Sequence, residues 1–319
     1  MKKSIFCFLS LLLLLKVTSL YPAPGENLSS KTFPAKKVVE INTSSGDCII
    51  KAGAADKITV DLEVKVEPAD AFKPEILERG DRLVINEKWY GRSHGSVIWT
   101  ITVPAKTEIE LETASGNISL EGLSANLEIS SASGDVTVEK CQGDLELETA
   151  SGDLIFSNCE GDFEISSASG DINISKIKGD IELSTASGDI DIEDSQGAFE
   201  LETASGDIQA VRLDMQSASE FSTASGDIEL VLSGSPVNSL SLSSASGDVI
   251  LDYNGNPLKG RFEFTTRRHR GEIDAPVTFE KEETSGEHGE EYVKKIFTAS
   301  GNEPLITLET ASGKITLRK

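Results

Sequence analysis

The sequence predicts an all-β fold: a single elongated parallel β-solenoid with two short strands in each 18-residue coil. Three observations carry this. Ala-Ser-Gly closes at Gly116, Gly134, Gly152, Gly170, Gly188 and Gly206 with a constant spacing of 18, and again at Gly226 and Gly247 with spacings of 20 and 21. Gly143, Gly161, Gly179 and Gly197 fall midway, so the unit is nine residues used twice per period. Each nine then alternates apolar and polar positions, as in Val136 with Val138, Leu145 with Leu147, Leu154 with Phe156 and Ile172 with Ile174. Alternation over five residues between Gly turns is a short strand with one buried face.

Two distinct turns explain a period of 18 rather than 9. One is (Thr/Ser)-Ala-Ser-Gly; the other varies, as in Lys140-Cys141-Gln142-Gly143. With two strands and two corners per coil, residues 18 apart stack about 4.8 Å from one another, and each column should hold one kind of chemistry. Ala114, Ala132, Ala150, Ala168, Ala186 and Ala204 form such a column, expected to be small because a larger side chain would meet its copies above and below. The competing arrangement is an antiparallel β-meander. Its five-residue strands would leave an apolar face uncovered, whereas a two-faced solenoid covers that face with itself. Dense Gly and β-branched residues exclude helices.

Residues 1–19 read as a signal peptide: Lys2 and Lys3, an apolar run from Ile5 to Leu15, then small residues at Val17-Thr18-Ser19. The run is far short of the roughly 20 residues that span a bilayer. No Cys follows near the cut, which argues against a lipoprotein, and no later segment is apolar enough to span, so no integral membrane span is expected. Residues 20–32 are a flexible N-terminal segment. Residues 33–104 are the N-terminal β cap, repeating the grammar loosely at Val38-Val39-Glu40-Ile41 and Ile58-Thr59-Val60 before an excursion through Trp89 and Trp99. Residues 105–252 are the regular repeats. Residues 253–297, with Arg267-Arg268-His269-Arg270 and a Glu-rich run, are a charged loop or hairpin insertion with solvated charges, and 298–319 are terminal repeats.

The tandem Ser-Gly-Asp strands, the Val103-Pro104-Ala105 entry and the closing Leu308-Glu309-Thr310-Ala311-Ser312-Gly313 resemble the bacterial putative adhesin family of β-strand repeat proteins, over roughly residues 38–319. The resemblance implies an exported or surface β-solenoid, in the periplasm, on the cell surface or outside the cell, and carries no catalytic residues.

Formal charge is −23, and −26 once Lys2, Lys3 and Lys16 are removed, which argues against nucleic acid and anionic membranes as partners. Cations, cationic surfaces and neutral polymers remain. The acid lies in columns. Glu110, Glu128, Glu146, Glu164, Glu182 and Glu200 are 18 apart; Asp135, Asp153, Asp171, Asp189 and Asp207 follow one set of corners, and Asp144, Asp162 and Asp180 the other. Like charges one coil apart repel by about 0.9 kcal/mol in water. For Asp, turn amides offset this. For the outward Glu column two readings stand: splayed, solvated side chains, or Ca²⁺ bridging neighbouring coils through Glu128, Glu146, Glu164, Glu182 and Glu200. No other cofactor is expected.

Cys141 and Cys159 sit one coil apart at one corner, as a candidate disulfide or as small buried thiols; Cys48 has no evident partner. Gly91-Arg92-Ser93-His94-Gly95 fits a serine-hydrolase pattern, but a strand follows where the motif needs a helix. With only His94, His269 and His288 in the chain, no catalytic or metal-type constellation forms. The expected function is a non-enzymatic exported solenoid that binds an unknown protein or polysaccharide surface ligand, as an adhesin or as a surface or periplasmic structural element. The alternatives are a carbohydrate-active solenoid enzyme and a periplasmic envelope scaffold.

Overall fold

In the computed structural model, which describes residues 17–19, 28–287 and 290–319, alternation becomes burial strand by strand. In Leu145–Thr149, Leu145, Leu147 and Thr149 point inward while Glu146 and Glu148 face solvent; in Leu154–Ser157, Leu154 and Phe156 are inward. Burying one such Leu or Phe stabilises by about 1.5–3 kcal/mol. Coils stack in parallel and in register: Leu127 faces Leu145, which faces Phe163, and Val136 faces Leu154. The result is two sheets, one of 16 strands and one of 15, closing on one apolar core. The fold is therefore the parallel solenoid and not the meander. The expected signal peptide, apart from Val17–Ser19, lies outside the described residues, as do residues 20–27 and His288. Val17–Ser19 pairs antiparallel with Phe72–Arg79.

The ends are built by one device used twice. Coil 38–53 is followed in space by coil 108–121, since Val39 faces Ile109 and Cys48 faces Ile118. The intervening chain folds back over the open end. Arg82–Trp89 and Phe72–Arg79 extend one sheet, while His94–Pro104, Lys57–Glu67 and Leu28–Pro34 extend the other. At the far end Leu305–Ser312 pairs directly with Leu240–Ser246, and the 253–297 segment lies beyond it as the outermost layer. That segment is not a loop: of the two expected forms it takes the hairpin, Lys281–Glu287 against Glu290–Ala299, and it lies outside the stack although it is inserted in sequence between two stacked coils. Gly260–Arg267, Glu290–Ala299 and Lys281–Glu287 form an antiparallel cover whose Phe262, Phe264 and Phe297 are buried, with Phe262 stacked on Phe297 at 4.4 Å. An open solenoid end presents unpaired backbone groups, so the chain places its most aromatic, least repetitive segments there.

Each residue of the (Thr/Ser)-Ala-Ser-Gly corner has a separate task. The buried Thr149 hydroxyl donates to Ser151 O at 3.1 Å, and the Ser151 hydroxyl donates across to Ala132 O of the preceding coil at 3.3 Å. Gly170 lies at φ +114°, and a Cβ there would sit 2.1 Å from Gly152 O, so only glycine fits. The Ala column differs from expectation. Ala132, Ala150 and Ala168 are exposed, so crowding does not select them. What the corner uses is their backbone, with Ala150 N–H donating to Ser131 O at 3.1 Å. From Gly206 onward the corner is rewired: Thr223 donates to Gly206 O and Ser244 to Gly226 O, one coil back. Thr203, at the switch, has its buried hydroxyl unpartnered.

Candidate functional site: the acidic face of the first sheet

The Glu column forms as the strand alternation requires. Glu40, Glu110, Glu128, Glu146, Glu164, Glu182, Glu200 and Glu220 stand opposite one another on consecutive parallel strands. Glu40 was not legible as a member because 70 residues separate it from Glu110 in sequence. Arg82 closes the file at its start, donating to Glu110 at 2.6 and 3.0 Å and reaching Glu40 at 3.5 Å. The hydrogen bond to Glu110 raises the Arg82 pKa. Beyond the last coil, Glu263 is paired with Lys294 and Arg261, whose hydrogen bonds hold its carboxyl below the usual range. Between these ends Glu128, Glu146, Glu164, Glu182, Glu200 and Glu220 are exposed and form no ion pair among the described residues.

These side chains line a groove of about 1050 Å³ that runs across the coils. One wall is the Glu file; the other is the second corner, with Asp144, Asp162 and Asp180; Leu145, Phe163, Ile181 and Phe199 lie at its base. The groove is a long acidic channel rather than a pocket. Among the described residues no group of three or more His, Cys, Asp or Glu is gathered as a metal site, and Glu128, Glu146, Glu164, Glu182 and Glu200 run in file on neighbouring strands.

The Asp columns are ladders. Asp135 Oδ1 accepts from Asp153 N at 3.0 Å, Asp153 Oδ1 from Asp171 N at 3.0 Å, Asp171 Oδ1 from Asp189 N at 3.1 Å and Asp189 Oδ1 from Asp207 N at 2.8 Å. The acceptor thus serves the amide of the next coil rather than its own turn. Asn117 occupies a rung with the same geometry, which shows that the carbonyl-type acceptor is what the ladder needs. At the other corner Asp162 N and Asp180 N bond to the Asp one coil back at 3.4 and 3.2 Å. These carboxylates are structural.

Cys141 and Cys159 are buried free thiols stacked at the second corner, and Cys48 is a third, in a separate column. Ser93 lies just before the strand His94–Pro104, and His94 faces Glu67 at 3.7 Å with both side chains exposed; the Gly-x-Ser-x-Gly match is a connection that carries the chain from Arg82–Trp89 in one sheet to His94–Pro104 in the other, with a strand and not a helix after it. The sequence reading missed Glu87. Its carboxylate accepts from Trp99 Nε1 at 2.7 Å, Trp89 Nε1 at 3.0 Å, Ser44 N at 2.9 Å and Ser45 N at 3.2 Å. It plugs the first Ser-Gly corner, which has no preceding coil to supply acceptors.

Charge is distributed as sharply as it is arranged. Residues 108–252 hold 30 acidic and 4 basic side chains, residues 20–107 hold 12 of each and residues 253–319 hold 11 of each. The whole excess of negative charge is in the regular body. No helix among the described residues is long and apolar enough to cross a membrane.

No curated protein matches the chain. Among solved structures it is similar to a putative adhesin from Parabacteroides distasonis, at 15% identity over 91% of this chain and 96% of that one, with a TM-score of 0.44. A putative adhesin from Parabacteroides merdae matches at 11% identity over 92% and 98%, with a TM-score of 0.41. A putative lipid binding protein from Parabacteroides distasonis matches at 14% identity over 92% and 98%, with a TM-score of 0.36. The Toastrack DUF4097 family model covers residues 36–272, from the first solenoid coil through the regular body, and the chain belongs to that family.

Proposed function

We propose that this protein is an exported, non-enzymatic solenoid of the cell envelope or surface that binds a cationic partner along the acidic groove of its first sheet. The observation that carries this is the segregation of charge: an acidic body between two neutral caps, with the file from Glu128 to Glu220 free of ion pairs among the described residues. A stacked carboxylate file carries standing repulsion of about 0.9 kcal/mol per neighbouring pair. A cationic chain or surface laid along the groove relieves it, and releases counterions in doing so. The reading supports adhesion to, or scaffolding on, a positively charged polymer. Enzyme chemistry draws no support from the groove, since acid–base work needs groups of contrasting character at one point, and the body holds Lys140, Lys176, Lys178 and Arg212 as its only cations.

Binding of oligoglucosamine and of oligolysine, read by titration calorimetry at low and physiological salt, tests this. The variant Glu146→Gln/Glu164→Gln/Glu182→Gln should lose at least about tenfold in affinity, each about 1.4 kcal/mol being a factor of ten. The control Glu139→Gln/Glu193→Gln/Glu229→Gln, on the other sheet, should not. Equal losses in both would reduce the groove to a non-specific polyanion and end the proposal. Protease shaving of intact cells separates surface from periplasm, and full protection there would exclude direct adhesion.

A further inference from the structure

The second corner holds a column whose members alternate in a telling way. Leu123, Cys141, Cys159, Ile177 and Ser195 lie one coil apart, kept in register by bridges from Ser124 through Gln142, Glu160 and Lys178 to Gln196. Two amides of this column have a side chain of the next coil as acceptor. Ile177 N–H donates to Ser195 Oγ at 3.1 Å, and Cys141 N–H donates to Cys159 Sγ at 3.3 Å. The Cys159 sulfur therefore leans out of its own coil into the gap toward the preceding one, where it also lies 3.6 Å from Val138 O. Cys141 Sγ lies 3.3 Å from Glu139 O, the contact that Cys159 Sγ makes to Ser157 O at 3.2 Å one coil on. Neighbouring parallel strands stand about 4.8 Å apart, within the roughly 4.4–6.8 Å between Cα atoms that a disulfide spans.

Both residues are nearly sealed from solvent, at 4% and 3% exposure. A hydrogen bond between the two thiols favours ionisation of Cys141 and disfavours that of Cys159. Cys48 cannot join them. It belongs to the second sheet between Trp99 and Ile118, and burial pushes its thiol up to about 12.

We propose that Cys141 and Cys159 are a redox modification site, closing to a disulfide that staples two successive coils of the solenoid while Cys48 stays a thiol. The oxidant is a disulfide of the exported compartment, a small-molecule disulfide or that of a thiol oxidase. Cys141 thiolate attacks one sulfur of the oxidant and expels the other as a thiolate; Cys159 thiolate then attacks Cys141 Sγ and expels the second. Two cysteine thiols and one disulfide become one cystine and two thiols, with both protons passing to the released thiols. Because the pair is sealed once folded, the bond forms as the two coils come together. The staple depends on the export reading only for the source of its oxidant.

The test refolds the whole protein from urea with oxidised glutathione, then denatures it, alkylates free thiols and maps peptides. The expected result is a Cys141–Cys159 linked peptide, an alkylated Cys48, and a thermal midpoint raised by about 5–10 °C over the reduced protein, the order expected for closing a short loop. Cys141→Ser and Cys159→Ser should fold, since Ser195 already serves in this column, and should lose both the link and the shift. Alkylation at all three positions, a link through Cys48, or a disulfide-bonded dimer would each overturn the proposal. Because purified protein and added oxidant are used, failure here would leave the acidic-groove reading standing.

Discussion

Gly170→Ala isolates what holds one coil on the next. The new Cβ would lie 2.1 Å from Gly152 O and 2.7 Å from its carbonyl carbon, both backbone atoms that no side-chain rotation can move. Contact needs over 3 Å, so the coils must part locally by about 1 Å. That stretches the bonds from Asp171 N to Asp153 Oδ1 at 3.0 Å, Ala168 N to Thr149 O at 3.1 Å and Ser169 Oγ to Ala150 O at 3.2 Å. At about 1 kcal/mol each, with about 1–2 kcal/mol for alanine at positive φ, the substitution should cost about 4–5 kcal/mol. Gly301→Ala supplies the control. It has nearly the same φ, +109°, and nothing within 4 Å of the added Cβ, so only the backbone strain of about 1–2 kcal/mol should appear. Urea unfolding followed by far-UV circular dichroism, with hydrogen exchange to localise the loss to the coils around Gly152 and Gly170, compares the two. Equal destabilisation would refute the claim that coil-to-coil contact, rather than glycine's conformational freedom, makes this position invariant within the chain.

Other consequences are as direct. Lys176 sits at φ +55° in a left-handed corner position that Gly122 fills three coils earlier at φ +73°, so Lys176→Gly should stabilise by up to about 1 kcal/mol; a loss in the urea midpoint would contradict the strain. Under reducing conditions Cys159→Val should strip Cys141 N–H of its acceptor and cost about 1–3 kcal/mol, while Cys159→Ser should be near neutral, as read by thermal unfolding. Glu263 has its pKa lowered in the folded state, so its contribution is present above its ordinary value of 4.5 and is lost as pH falls through the lower folded value. Acid should therefore loosen the C-terminal cover, and Glu263→Gln should flatten that part of the stability profile. Finally, Ca²⁺ and Mg²⁺ at equal ionic strength should raise the thermal midpoint equally, as screening of the Glu file; a shift specific to Ca²⁺ would contradict screening and point to coordination by Glu128, Glu146, Glu164, Glu182 and Glu200.

How much was readable depends on whether a residue's role repeats. The columns of Gly, Asp and Glu announce themselves because a parallel stack converts a period in sequence into a line in space. That is why two-strand coils, corner glycines and the outward Glu file all follow from spacing. The caps do not repeat, and there reading fails. Glu87 draws its four donors from residues 2 to 43 positions away, and nothing in the local sequence marks it as the plug of the first corner. The Ala column was legible as a column but not in its cause, since only coordinates show that its side chains face solvent.

Sequence by itself determined the coil: its length, its two strands, its inward and outward faces, and the concentration of acid along one of them, because each is a local rule copied every 18 residues. Tertiary structure alone decided the ends. It placed the terminal strands Leu305–Ser312 and Lys314–Arg318 inside the stack and the 253–297 segment outside, and it set residues 54–107 over the opposite opening. Which strand covers an open edge depends on pairings between residues far apart in the chain, and no period records those.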